Sequence, residues 1–402
     1  VSSSIERGEG CMKGLERLRP LLRSYVETGP PGCALSVMYQ GENVFEEFVG
    51  LADVDAKKVI SSDTIYRIYS MTKVVTCTAA LMLYERGLFL LNDPIEEYLP
   101  EFKDSQVYRL DNAGNYDIVP ATRPILVKDL FTMTSGITYG GDGDQTERDV
   151  RELMTELEGG GKTARDLSKA IANIPLAFVP GSQWRYGFSH DVLGALIEVV
   201  SGKTLGEFLE EEIFEPLGMR DTSFRLPEEK KGRLCSLYNR NEAGELIQNT
   251  GMDRHYQSDT LFESGGAGLL STIGDYSRFA HVMANGGSWD DYQILGSKTV
   301  GLMSMNHLQE AQMVSFNWPY LAGYGYGLGV RTMVHPQVAG SNSSVGEFGW
   351  SGLAGTWVLI DPKEKLSAVY MQQMMPNLEE YHQPRLRNVI CGTVGTGSSR
   401  RQ

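Results

Sequence analysis

The chain has 402 residues, 41% of them hydrophobic and 22% charged, which is the balance of a folded globular protein and enough length for one large two-lobed domain or two domains. No apolar run reaches the ~18 to 20 residues that a membrane-crossing helix needs, so no membrane partner is expected. The net charge is −14, and Lys and Arg are scattered without forming a basic stripe, which argues against nucleic acid as a partner.

From residue 10 to 28 the apolar spacing (Met12, Leu15, Leu18, Leu21, Leu22, Tyr25) predicts a helix, stopped by "GPPG" at 29 to 32. "CALSVMYQGENVFEEFVGLAD" then predicts two strands around a turn at Gln40 to Asn43. "IYRIYSMTKVVTCTAALMLYERG", 65 to 87, reads as an amphipathic helix with Ser70 and Lys73 at its start. The middle of the chain is helical and loop-rich. Residues 325 to 372 hold β-branched and aromatic runs separated by Gly, Asp-Pro and Lys-Glu turns, the pattern of an antiparallel meander. Strands at both ends with helices between them predict an α+β sheet lobe split in sequence by a helical lobe.

Several motifs fail on inspection. "GGGKT" at 159 to 163 echoes a phosphate loop, but the first Gly of that pattern falls on Glu156. "YGGDGDQ" at 139 to 145 lacks the acidic spacing and closing Glu of a calcium loop and reads as solvated. The six histidines show no metal-binding spacing, and His190 is expected at the surface or behind the site, with a place at the cleft border less favoured. Cysteines 11, 33, 77, 235 and 391 are odd in number and far apart, so buried thiols are expected in preference to disulfides or zinc. No cofactor and no metal are implied. The opening "VSSSIERGEGCMKGLERL" lacks the basic start and apolar core of a secretory signal, which favours a cytoplasmic location, with earlier trimming of a leader left open.

Ser70 and Lys73 carry the chemistry. Residues three apart on a helix share a face, about 5 to 6 Å apart at Cβ, so the amine can reach the hydroxyl. A serine needs a base to become a nucleophile, and unpaired N–H groups at a helix start favour the negative charge that develops on attack. On its own, S-x-x-K is more often a cap beside an exposed lysine.

In context, the chain resembles the serine β-lactamase and penicillin-binding protein superfamily, in particular the class C β-lactamase-like branch that contains family VIII carboxylesterases. Ser70-Met71-Thr72-Lys73 matches its S-x-x-K box. "LNDPIEEYLPEF" is similar to the loop that follows, and "LVKDLFTMTSGI" to an L-L-x-H-T-S-G-I segment, with Met133 where His is common. "PGSQWRYGFSHDVLGALIEVVSG" places Tyr186 at the motif tyrosine, and "PLGMRDTSF", "GGAGLLSTIGDYSRF" and "YGYGLGV" lead to "FGWSGLAGTW" at the third box. The resemblance spans residues 10 to 392 and implies one catalytic domain of β-lactamase-like α+β fold. Its antiparallel sheet is flanked by N- and C-terminal helices, with a sheet lobe near 10–66 and 255–392 and a helical lobe near 67–254.

The resemblance implies Ser70 as the acylated nucleophile, with Lys73 and Tyr186 sharing the proton work and the choice of base between them open. It also implies an oxyanion hole from the N–H groups of Ser70 and Leu353, and a substrate-lining strand at Trp350-Ser351-Gly352, with Gly352 letting the backbone approach the ligand. Tyr186 is expected to be driven toward phenolate by neighbouring amines. "GWSGL" does not complete a G-x-S-x-G elbow, because its fifth residue is Leu353.

Two departures bear on the substrate. Phe188 stands where relatives that handle peptides and β-lactams often have Asn. Trp350 replaces the Lys or His that places a substrate carboxylate, removing a charge-assisted bond of ~1.5 to 3 kcal/mol, or about one to two powers of ten in preference. The expected activity is hydrolysis of small uncharged carboxylic esters through an acyl-enzyme. β-Lactamase, D-amino-acid amidase or peptidase, and acyltransferase are the alternatives within the fold, and a non-catalytic penicillin-recognising sensor is the alternative outside catalysis. Oligomeric state is left open.

Overall fold

The structure is a computed structural model and describes residues 14–111, 114–157 and 162–394. Helix α1 (Leu18–Thr28) buries Leu18, Leu22 and Tyr25, the i, i+4, i+7 stripe read from the sequence. Residues 10–13 of the expected helix lie outside the described residues. Strands β1 (Gly32–Tyr39) and β2 (Glu42–Asp53) form the expected hairpin. Its two-residue turn, Gln40-Gly41, has both φ angles positive, at 50° and 95°, the twist that suits antiparallel neighbours. A short β3 (Lys58–Val59) follows, then β4 (Ile65–Arg67) and helix α2 (Thr72–Glu85).

The middle of the chain supplies helices Gln145–Leu157, Ala164–Ile171 and α3 (Ser189–Ser201), with a small hairpin of Gln106–Leu110 and Tyr116–Pro120. Within "EGGGKTA" at 158 to 164, residues 158–161 lie outside the described residues. Thr163 and Asp166 form a reciprocal cap on the helix that starts at Ala164, so this stretch serves a helix start. Strand β5 (Leu270–Thr272) pairs antiparallel with β4 and leads into helix α4 (Ile273–Ala284).

The meander is β6 (Tyr324–Tyr326), β7 (Arg331–Met333), β8 (Phe348–Ser351), β9 (Trp357–Asp361) and β10 (Leu366–Gln372), followed by helix α5 (Glu379–Thr393). With the N-terminal strands it makes one eight-stranded antiparallel sheet ordered β6-β7-β8-β9-β10-β1-β2-β3. Both faces are covered. Cys33, Leu35, Val37, Trp357, Leu359, Leu366, Ala368 and Tyr370 bury against α1 and α5, while the alternate residues Ala34, Val358, Ile360, Val369 and Met371 join the larger core on the other face. That core includes α2, α3 and α4.

Helix α2 departs from the amphipathic reading. Every residue from Thr72 to Leu83 is buried, because α3, the short helix Leu205–Leu209 and strand β8 pack around it within the larger core. No helix among the described residues is long and apolar enough to cross a membrane. Cys33, Cys77 and Cys235 are buried free thiols and Cys391 is half-buried; Cys11 lies outside the described residues.

Candidate active site

Ser70 sits in a tight turn, Tyr69–Met71, that carries β4 into α2. Tyr69 has φ +43°, an uncommon conformation for a side chain of its size, and it bends the chain sharply immediately before the serine. The turn is held from outside: Leu269 C=O accepts from Ile68 N–H at 3.1 Å, Tyr276 O–H donates to Met71 C=O at 2.9 Å, and Leu269 N–H donates to Thr72 Oγ1 at 3.0 Å. Ser70 itself stays partly exposed.

Lys73 is fully buried, which is rare for lysine and costly unless its nitrogen is fully partnered. Three oxygens meet it: Ser70 Oγ at 3.2 Å, Tyr139 Oη at 3.0 Å and Gly266 C=O at 2.7 Å. The carbonyl can only accept, so one N–H always points to Gly266. The two hydroxyls can accept or donate.

Tyr186 completes the group. Lys73 Nζ lies 4.5 Å from the centre of its ring, and Trp350 Nε1–H donates to its hydroxyl at 2.9 Å. The Trp350 indole stacks on the phenol with centroids 5.4 Å apart. Burial pushes the phenol well above its ordinary range, and hydrogen bonds with Ser70 and Trp350 pull it only part of the way back. The expected drive toward phenolate is therefore corrected: desolvation dominates, and the nearby charges of Glu379 and Asp191 push the same way. A neutral phenol can donate to Ser70 Oγ or accept from it, so Tyr186 is able to hold the serine hydroxyl in place.

The remaining candidates are distributed unevenly. Leu353 lies on an exposed turn, and its N–H donates to no main-chain acceptor among the described residues. The turn is pinned to the nucleophile segment by Gly352 N–H to Thr356 C=O at 2.8 Å and by Thr356 Oγ1 to Ile68 C=O at 3.2 Å. The reason for glycine at 352 changes accordingly: a β-carbon there would collide with the Ile68 carbonyl and the Thr356 hydroxyl, so the close approach is to the chain and not to a ligand. Ser351 gives its hydroxyl to Glu379 at 2.6 Å. Phe188 caps the start of α3, edge-on to Tyr139 at 4.6 Å.

His190 is neither at the surface nor at the cleft border. It is fully buried behind α2, where Nε2 lies 3.1 Å from Phe131 C=O and 3.6 Å from Cys77 Sγ, and burial holds it neutral with its pKa pushed down to about 3.

Sequence reasoning missed Tyr139, whose hydroxyl reaches Lys73 from the loop read as solvated, and Asp191, a buried carboxylate on the first turn of α3. Asp191 Oδ1 accepts from Ser264 Oγ at 2.5 Å and from Gly266 N–H at 3.3 Å, fixing the turn whose carbonyl holds Lys73. Gly265 and Gly266 are required there, since a β-carbon at either would strike His190 C=O or Asp191. The signal was present in "ESGGAG", whose paired glycines mark a close backbone approach. The aromatics at 316 to 326 form a cluster in which Trp318 and Tyr326 pack around Tyr186 and Trp350.

A doubly covered antiparallel sheet, with a serine in the turn that enters a central helix and a buried lysine in that helix's first turn, facing a tyrosine, defines a serine hydrolase of β-lactamase-like fold. The chain belongs to the Beta-lactamase family, whose profile matches residues 18–389. It is similar to Protein Rv1367c of Mycobacterium tuberculosis, with 31% identity over 364 residues covering 89% of each chain. It is also similar to Esterase EstB of Burkholderia gladioli, with 25% identity over 376 residues covering 85% of each. Among solved structures, EstCE1, described as a hydrolase with promiscuous acyltransferase activity, superposes with a TM-score of 0.80 at 22% identity, covering 96% of this chain and 99% of its own. That likeness establishes the fold.

Proposed function

We propose that the protein hydrolyses small, uncharged carboxylic esters through an acyl-enzyme on Ser70. The observation that carries this reading is the placement of Lys73 Nζ 3.2 Å from Ser70 Oγ, with Tyr186 fixed beside them by the Trp350 indole N–H. Ser70 Oγ attacks the ester carbonyl carbon while its proton passes to the Lys73–Tyr186 pair. The oxyanion is received by the N–H groups of Ser70 and Leu353. Collapse breaks the carbonyl-to-alkoxy bond, the leaving alcohol takes the proton, and water then repeats the sequence to release the acid. The cleft lies between the sheet lobe (10–66 and 255–392) and the helical lobe (67–254).

Trp350 supports ester over antibiotic. Its nitrogen is committed to Tyr186 and its ring to aromatic neighbours, so the position offers no cation to a substrate carboxylate. Esterase EstB, 25% identical over most of the chain, fits the same reading. An alcohol in place of water at the second step would make the reaction an acyl transfer, the side activity named for EstCE1.

The test is turnover of p-nitrophenyl acetate and nitrocefin by wild type and by Ser70→Ala. The expected result is ester turnover exceeding nitrocefin turnover by at least about tenfold, with a loss of roughly a thousandfold or more in the alanine variant. Preference for nitrocefin would overturn the ester assignment, and undiminished activity in Ser70→Ala would overturn the mechanism.

A further inference from the structure

Strand β8 is hydrogen-bonded to β9 along its whole length, from Phe348 to Ser351, but to β7 only through Phe348 and Gly349. The outer edge therefore opens at Trp350 and Ser351, one residue from the indole that holds Tyr186. The opening is a cleft with the half-buried Tyr320, Ser351 and Glu379 at its mouth and the almost fully buried Trp350, Arg331 and Arg387 deeper in its lining.

Charge is distributed unevenly along this cleft. Arg331 and Arg387, both almost fully buried, lie 3.6 and 3.7 Å from the fully buried Glu347 and over the Tyr324 ring, so the two cations share one buried anion. At the mouth, Glu379 makes no ion pair among the described residues. Its two hydrogen bonds, from Ser351 Oγ at 2.6 Å and Gln383 Nε2 at 3.3 Å, both fall on Oε2. Glu379 occupies the first turn of α5, where unpaired N–H groups favour negative charge. Exposed Glu380 adds a second negative charge beside it.

We propose that Glu379 is a specificity-determining residue: it selects against esters carrying a carboxylate near the scissile bond and favours those carrying an ammonium or quaternary ammonium group. This inference rests on the ester reading above and extends it from "uncharged" to "uncharged or cationic". Ser351, the residue of the third box with a hydroxyl to offer, is turned into a donor to Glu379, so an incoming carboxylate meets a like charge in place of a donor. A cation over the same mouth meets Glu379 and the half-buried Tyr320 ring, a surface that attracts positive charge.

The experiment uses p-nitrophenyl esters of matched acyl length ending in trimethylammonium, methyl or carboxylate. Acetyl thioesters of thiocholine and of mercaptopropionate place the charge on the leaving side. The readout is the ratio of kcat/KM for the cationic over the anionic member of each set, with the neutral ester as internal reference. Wild type is expected to favour the cation by about tenfold or more in at least one set, an effect scaled for a partly solvated charge. Glu379→Gln is expected to bring that ratio within about threefold of unity, and Glu379→Lys to invert it, which loss of a purely structural contact would not do. Thermal melts check that each variant is folded. Ser70-dependent turnover of the neutral ester with no charge preference, or with a preference that Glu379→Lys leaves in place, overturns this inference and leaves the ester reading standing. Absence of Ser70-dependent turnover of every ester overturns both.

Discussion

Lys73 and Asp191 are joined through one residue, Gly266, whose carbonyl accepts from the Lys73 amine at 2.7 Å while its N–H donates to the Asp191 carboxylate at 3.3 Å. Burial pushes the Asp191 carboxyl up, and Lys73 and the hydrogen bonds from Ser264 and Gly266 oppose that push. The carboxylate therefore fixes the turn from which the proton-handling amine hangs. Asp191→Ala should lower kcat for p-nitrophenyl acetate by about tenfold or more with a smaller change in KM. Asp191→Asn, which keeps an acceptor for Gly266, should recover part of the loss. Steady-state kinetics on folded variants check this; equal losses in kcat in the two variants would deny the acceptor its role.

The two tyrosines at the site should separate cleanly. Tyr186 shares hydrogen bonds with Ser70 and Trp350, whereas Tyr139 contacts Lys73. Removing a proton acceptor typically costs 10²- to 10⁴-fold, so Tyr186→Phe should lose roughly a thousandfold in kcat. Tyr139→Phe leaves Lys73 with two partners and should lose about tenfold. The reverse order would transfer the proton role to Tyr139.

Trp350→Phe keeps an aromatic face on Tyr186 but deletes the indole N–H. The loss of one hydrogen bond, about 1 to 1.5 kcal/mol, corresponds to roughly a tenfold fall in kcat/KM. An unchanged value would mean that the indole acts only as a wall.

His190 gives a stability prediction whose sign is fixed by its burial. Its folded pKa, pushed down to about 3, lies below the ordinary value of 6.5, so the unfolded chain binds the proton more readily between those values. Stability should be complete above about pH 6.5 and fall as the pH drops, with His190 accounting for about 2 kcal/mol at pH 5. His382, pushed down to about 4, adds a loss of the same sign. Denaturation midpoints from pH 7.5 to 4.5 should fall less steeply in His190→Asn than in wild type. A parallel slope would contradict the burial argument.

Much of this was legible in the sequence because it rests on local patterns. The Gln40-Gly41 hairpin follows from turn chemistry, the meander from β-branched runs, and the Ser70–Lys73 pair from helical spacing. What escaped depends on contacts between distant segments. Tyr139 sits in a polar, glycine-rich loop and meets Lys73 only when folding closes the chain over 66 residues. Asp191 looked like an ordinary first-turn acid until the Ser264–Gly268 turn packed on it. The burial of α2 on all sides was invisible because threonines at 72, 76 and 78 mimic a polar face, although each turns its hydroxyl to a backbone partner. For His190 the surface and a place behind the site were both expected; the structure gives the second, and nothing in its sequence neighbours decides between them.

The central claim is that Ser70 is the residue acylated by substrate, and its most direct test is covalent trapping. Incubation with a fluorophosphonate ester followed by peptide mass mapping should place a single adduct on Ser70, absent in Ser70→Ala and slowed by roughly a hundredfold or more in Lys73→Met. An adduct on any other residue, or labelling that survives in Ser70→Ala, would contradict the account.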